Sequence, residues 1–169
     1  LAALCEQLDV RFTLFETELA KLIFDERKES NPCSLCARMR RGMLHDRAKE
    51  LGCNKITLGH HFDDAVETFM MNLFNEGRIA CFSPVTYLDR KKITMIRPLV
   101  YAPEKDIRYF INHSDLPVLG SPCPMDKISD RERYKKMLAA MDRENKGLKH
   151  RIMGAMQKAD LDGWQPKEK

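Results

Sequence analysis

Asn31-Pro32-Cys33-Ser34-Leu35-Cys36 opens one stretch of this chain, and Leu58-Gly59-His60-His61-Phe62-Asp63-Asp64-Ala65-Val66-Glu67-Thr68 closes it. Pro32 has no backbone N–H and a fixed φ, so it suits the entry to a helix beginning near Cys33. Leu35, Met39, Met43, Leu44 and Leu51 recur at helical intervals, while Arg38, Arg40, Arg41, Arg47 and Lys49 fill much of the remaining surface. Gly52 is a left-handed stop, and Lys55-Ile56-Thr57-Leu58 reads as a short buried strand. Gly59 permits a sharp turn at its end. Asp63 and Asp64 then fall where the next helix's unpaired N–H groups favour carboxylates, and Ala65, Val66, Phe69, Met70, Leu73 and Phe74 form that helix's apolar stripe. Helix, strand, acidic turn, helix is the order of an α/β layer, in which ligands bind beyond the carboxyl ends of the strands. A thiol pair and a His-His-x-Asp-Asp cluster should therefore face one crevice.

Outward from this stretch, Leu1 to Leu8 carries a helical pattern, Val10 to Phe15 alternates as a strand, and Glu16 to Phe24 suits a helix. Val85 to Leu88 and Ile93 to Ile96 flank Asp89-Arg90-Lys91-Lys92 as a β-hairpin. Pro103 to His113 reads as a helix, Leu116 to Leu119 as a short strand or extended segment, and Gly120-Ser121-Pro122-Cys123-Pro124 as a rigid loop. Helices rich in Lys, Arg and Met follow from Ser129, and Asp162 to Lys169 reads as a frayed end. The expected division is 1–128 as an α/β domain and 129–169 as a helical segment.

With 169 residues, 43% of them hydrophobic, the chain can bury a sizeable core. No apolar run approaches membrane-spanning length and no signal-peptide pattern opens the chain, so a cytoplasmic protein is expected. The net charge of +4 is mild and only compatible with an RNA partner. Six cysteines without secretory signals argue for metal or redox chemistry at some of them. Cys5, Cys53 and Cys81 stand singly and read as packing residues. Cys33 and Cys36 at a helix start, joined by Cys123 between two prolines, have three readings. They are a 4Fe-4S cluster with one iron left open, a zinc site one ligand short of closure, or a dithiol switch.

The ordered set Cys33-Ser34-Leu35-Cys36-Ala37-Arg38-Met39-Arg40-Arg41-Gly42, Leu58-Gly59-His60-His61-Phe62-Asp63-Asp64, Ile96-Arg97-Pro98-Leu99 with Glu104-Lys105-Asp106-Ile107, and Pro122-Cys123-Pro124 resembles the PP-loop ATPase superfamily, within it the tRNA 2-thiocytidine synthetase (TtcA) group. The resemblance implies a Rossmann-like fold of the adenine nucleotide alpha hydrolase kind, with a mostly parallel sheet and flanking helices. It also implies a tRNA sulfurtransferase that uses ATP, Mg2+ and a 4Fe-4S cluster. Metal ligands would be Cys33, Cys36 and Cys123. Asp64 would assist Mg-ATP or accept a proton, and Gly59, His60, Asp63, Arg40 and Arg41 would line the nucleotide, with Asp63 mainly a helix cap. Lys135, Lys136, Lys146, Lys149 and Arg151 are candidates to track tRNA phosphates or to form a solvated tail. Further partners would be tRNA and a sulfur donor, either a cysteine desulfurase or sulfide; a homodimer stays open. The superfamily's Ser-Gly-Gly-x-Asp-Ser phosphate loop has no counterpart here and the chain starts at Leu1, so an N-terminal segment carrying that loop is expected to be missing and this fragment to be inactive alone. Rival readings are a 2-thiouridine or lysidine type of tRNA-modifying enzyme, or a zinc or redox module without catalysis.

Overall fold

The structure is a computed structural model that describes residues 1–28, 32–121, 123–125, 129–159 and 161–164. Asn31, Pro122 and the end of the chain beyond Trp164 lie outside these. Helix α3, Pro32–Glu50, begins at the proline as expected, and Gly52, at φ +73°, ends its last turn. Strand β1, Lys55–Thr57, follows with only Ile56 buried. Helix α4, Phe62–Glu76, carries the central apolar stripe and stops at Gly77, at φ +62°. The hairpin of β2, Val85–Leu88, and β3, Ile93–Ile96, is present in the register Val85↔Ile96 to Leu88↔Ile93.

The described sheet has the order β1-β3-β2. β1 runs parallel to β3, Lys55↔Thr94 to Thr57↔Ile96, and β2 antiparallel to it. The sheet is mixed, half its pairings parallel, because the hairpin turn forces one antiparallel edge. The parallel pair sets the carboxyl ends of β1 and β3 side by side. Leu58 N–H continues the ladder to Ile96 O at 2.9 Å, so the segments that follow, Gly59-His60-His61 and Arg97-Pro98, leave from one edge.

Two apolar clusters hold the layers. Ala48 of α3 packs on Ile56, Ile93 and Met95 of the sheet. The larger cluster joins α4 (Phe62, Ala65, Val66, Phe69, Met70) to α6, Asp130–Glu144, through Tyr134 and Leu138, and to α7, Leu148–Lys158, through Met153 and Met156. Trp164 completes it. That residue overturns the expected fraying of the last turn: its indole is fully buried and donates Nε1–H to Phe82 O at 2.8 Å, while Ser83 Oγ donates to Asp162 at 2.8 Å.

Other expectations fail for lack of partners. Val10 to Phe15 forms no strand, because no neighbour among the described residues offers a hydrogen-bond ladder, and Val10 and Leu14 stay 56% and 69% exposed. Ala2–Gln7 is a short helix, α1, and Leu19–Lys21, α2, runs into a wider π-helical turn, Leu22–Arg27. Leu116 to Leu119 joins no strand among the described residues, which leaves the extended-segment alternative. Helix α5, Glu104–Asn112, starts after Pro103 as expected. Cys81 is half-buried and donates to Ala65 O, with burial pushing its thiol up to about 12, but Cys53 is exposed, against the packing role expected of it.

Candidate nucleotide and thiol site

The turn after β1 folds locally around His61. His61 has extended backbone, φ −116°, and its ring Nδ1 accepts the Asp64 N–H at 3.4 Å while Asp64 Oδ2 accepts the His61 N–H at 2.9 Å. This reciprocal box satisfies two of the orphan donors at the start of α4. The cap of α4 is thus His61, where the sequence pointed to Asp63. The spacing that betrays it is His61-x-x-Asp64, an N-cap with a carboxylate three residues on. The loop glycine is not sterically forced: Gly59 has no left-handed φ, and a Cβ there would meet open space.

Asp63 turns away from that box and serves another helix. One oxygen accepts the Glu104 N–H at 2.8 Å, capping α5, and the other accepts Lys149 Nζ at 2.6 Å from α7. Burial alone would raise this carboxyl. The Lys149 hydrogen bond, the Glu104 N–H and the Lys149 charge outweigh it and hold Asp63 below the ordinary range. A carboxylate so committed ties α4, α5 and α7 together. Lys149 is correspondingly removed from the cationic group expected to track tRNA; Lys135 pairs with Glu104 at 2.8 Å and Arg151 with Asn145.

Asp64 keeps its second oxygen toward α6, where Arg131 Nη1 reaches Oδ1 at 3.1 Å. The same guanidinium contacts Glu67 at 3.4 Å and Thr68 Oγ1 at 3.1 Å. Glu67 is 3% exposed, and burial pushes its carboxyl up to about 7 against the pull of Arg131. The acid that titrates high in this cluster is therefore Glu67, one turn beyond the adjacent aspartates. Neither Arg131 nor Glu67 stood out from the sequence; only the Glu67 position one turn after Asp64 hinted at it.

His60 leans on the Phe82 ring at 4.9 Å between centroids. Burial first, and then the positive charges of Arg97 and Arg131, outweigh Asp64 and lower its imidazole, which favours the neutral ring. Its Nδ1 is buried without a partner. Arg97 covers the same ring at 4.8 Å.

Cys33 and Cys123 are exposed and Cys36 is half-buried. Partial burial raises the Cys33 thiol first, then the negative charges of Cys123, Cys36 and Asp130 add to it. The charge of the third cysteine thus reaches Cys33. No three Cys, His, Asp or Glu side chains among the described residues stand at metal-holding spacing. In the first turn of α6, Arg131 binds Asp64 and the charge of its neighbour Asp130 reaches Cys33. Arg40 and Arg41 lie exposed on α3 beyond the thiols, and the charge of Arg41 reaches Arg97. A cavity of about 310 Å³ between α2 and α3, lined by Leu19, Leu22, Met39 and Met43, includes none of these residues.

Set beside known proteins, residues 1–142 match the family described as the PP-loop domain. The tRNA-cytidine(32) 2-sulfurtransferase of Geobacter sulfurreducens is 41% identical over 132 residues, 77% of this chain and 51% of that protein. The protein of the same name from Cupriavidus metallidurans is 36% identical over 158 residues, 92% of this chain and 50% of its own length. Among solved structures, the U34-tRNA thiolase NcsA from Methanococcus maripaludis with its 4Fe-4S cluster superposes with a TM-score of 0.73 at 25% identity, covering 94% of this chain and 54% of that one. The chain spans about half the length of these relatives.

Proposed function

Because the chain belongs to the PP-loop domain family, we propose that it is the Asp64- and thiol-bearing part of an ATP-dependent tRNA sulfurtransferase that makes 2-thiocytidine at position 32 of the anticodon loop. The observation that carries this reading is the first turn of α6, where Arg131 binds Asp64 and the charge of its neighbour Asp130 reaches the Cys33 thiol. Cytidine is preferred to uridine because the relatives named for cytidine are 41% and 36% identical, against 25% for the uridine thiolase.

The reaction class is transfer of AMP from Mg-ATP to the base oxygen with release of pyrophosphate, then replacement of that activated oxygen by sulfur with release of AMP. Three soft thiol donors, two of them exposed, fit a 4Fe-4S cluster held by Cys33, Cys36 and Cys123. Bound there, it would supply the sulfur. Asp64, once Arg131 moves off Oδ1, has a carboxylate oxygen to offer Mg2+ or a proton, while the His61 box fixes its direction. His60, its imidazole lowered by burial, can accept or donate a hydrogen bond at the phosphates. Arg40 and Arg41 counter the polyphosphate from α3. Asp63 acts at a distance, holding α5 and α7 in place. The sulfur reaches the site from a cysteine desulfurase or free sulfide, and the working compartment is the cytoplasm. No helix among the described residues is long and apolar enough to cross a membrane.

The test is to complement a strain lacking the gene with the full-length protein carrying Asp64→Asn and to measure 2-thiocytidine in its tRNA by mass spectrometry. Thiolation should disappear while iron content stays at the native level. Undiminished 2-thiocytidine would remove Asp64 from the chemistry.

A further inference from the structure

Asp64, Glu67 and Thr68 stand at i, i+3 and i+4 on one face of α4, and a single guanidinium from α6 meets all three. Asp64 Oδ2 is committed to the His61 N–H at 2.9 Å inside the capping box, so Oδ1 is the oxygen that can change partner. Arg131 Nη1 stands 3.1 Å from that oxygen and 3.4 Å from Glu67 Oε2, while Nη2 is anchored on Thr68 Oγ1 at 3.1 Å. One nitrogen therefore lies between two carboxylates, nearer to Asp64, beside a fixed pivot. The surroundings of the two acids differ. The Asp64 side chain is 20% exposed and that of Glu67 4%, and Arg131 is the one cation within ion-pair distance of Glu67 among the described residues. Glu67 is thus a buried acceptor with one long contact, and a guanidinium leaving Asp64 has most to gain by closing it. A small turn about the Thr68 bond makes that exchange and leaves α6 in place.

We infer that Glu67 is a positioning residue that takes over the Arg131 guanidinium when Asp64 Oδ1 turns to Mg-ATP. The inference rests on the role proposed above for Asp64, whose carboxylate oxygen is the hard donor that Mg2+ prefers. Without Glu67, the displaced guanidinium would stand beside the incoming metal with no anion to receive it, and the ligand would have to break an ion pair that nothing replaces. With Glu67 present, Arg131 exchanges one carboxylate for another.

The test is a double-mutant cycle read by calorimetric binding of Mg-ATP to the full-length protein. It is run at pH 8, above the value of about 7 to which burial raises the Glu67 carboxyl. Glu67→Gln, which keeps the volume of the side chain, should weaken binding by roughly tenfold or more. Adding Arg131→Gln should bring affinity back to within about twofold of native, because no guanidinium then needs a second acceptor. Bare charge predicts the opposite order: Mg-ATP is itself negative, so losing a carboxylate would tighten binding and losing the guanidinium would weaken it. Native affinity in Glu67→Gln, or a double variant as weak as Glu67→Gln alone, overturns the inference. Arg131→Gln by itself should bind at least as tightly as native, and weaker binding there overturns the inference even if Glu67→Gln fails to fold. Asp64→Asn separates the two readings. If it binds Mg-ATP as native does, the role of Asp64 falls and this inference with it; if it loses binding while Glu67→Gln does not, this inference alone falls.

Discussion

Replacing Asp63 with Asn separates the two adjacent carboxylates by role. Asp63 is 7% exposed, and the side chains of its pair with Lys149 are 10% and 18% exposed at 2.6 Å. Removing one charge from a buried pair strands the other, which costs about 3–5 kcal/mol. Asn keeps one acceptor oxygen for the Glu104 N–H, so the cap of α5 survives and the loss should sit near the lower figure, about 3 kcal/mol. Against a typical total of about 5–15 kcal/mol this is a large fraction. In urea, with a slope of about 1–3 kcal/mol per molar, the midpoint should fall by roughly 1–3 M, read from the fluorescence of buried Trp164. Lys149→Met in the Asp63→Asn background should restore part of the loss, because it removes the stranded ammonium. The pH dependence has a definite sign. Asp63 is held below its ordinary value of 3.8, so its contribution is present above that pH and disappears as pH falls through the lower folded value; native and Asn proteins should converge in acid. A stability change below about 0.5 kcal/mol would refute the structural assignment and return Asp63 to the nucleotide site.

Glu67→Gln should flatten the pH dependence of stability. The native carboxyl, raised by burial from 4.5 to about 7, favours the folded state below pH 4.5 and loses that contribution as pH rises through 7; the difference is about 3 kcal/mol, so the Gln protein should be the more stable at pH 8 and near native at pH 4. Equal urea midpoints for native and variant at pH 8 would contradict this. Leu138→Ala, at a fully buried contact between α6 and α4, should cost about 2–5 kcal/mol in thermal or urea unfolding. A loss under about 1 kcal/mol would mean that α6 does not share the α4 core.

The helix after Pro32, its stop at Gly52, the β1 strand, the α4 stripe and the hairpin were all legible because each is dictated by local spacing and turn chemistry. What failed depended on partners distant in sequence. Val10 to Phe15 has the alternation of a strand, but a strand exists only when a neighbour supplies a ladder. Trp164 looked like part of a polar tail, yet a single indole found both a core and the Phe82 carbonyl 82 residues away. Within the site, the sequence located the acidic turn but misassigned the cap, because Asp63 answers to Glu104 and Lys149, 41 and 86 residues along the chain. Arg131 and Glu67 were invisible for the same reason. Their roles arise only when α6 packs on α4.

The most direct measurement is anaerobic loading of the full-length protein with iron and sulfide, comparing the native chain with Cys123→Ser and with the exposed control Cys53→Ser. The account predicts that native and Cys53→Ser proteins take up iron and sulfide in equal amounts with the absorbance of a cluster, and that Cys123→Ser does not. A Cys123→Ser protein that retains the full iron and sulfide content would contradict it, as would a colourless, zinc-loaded native protein.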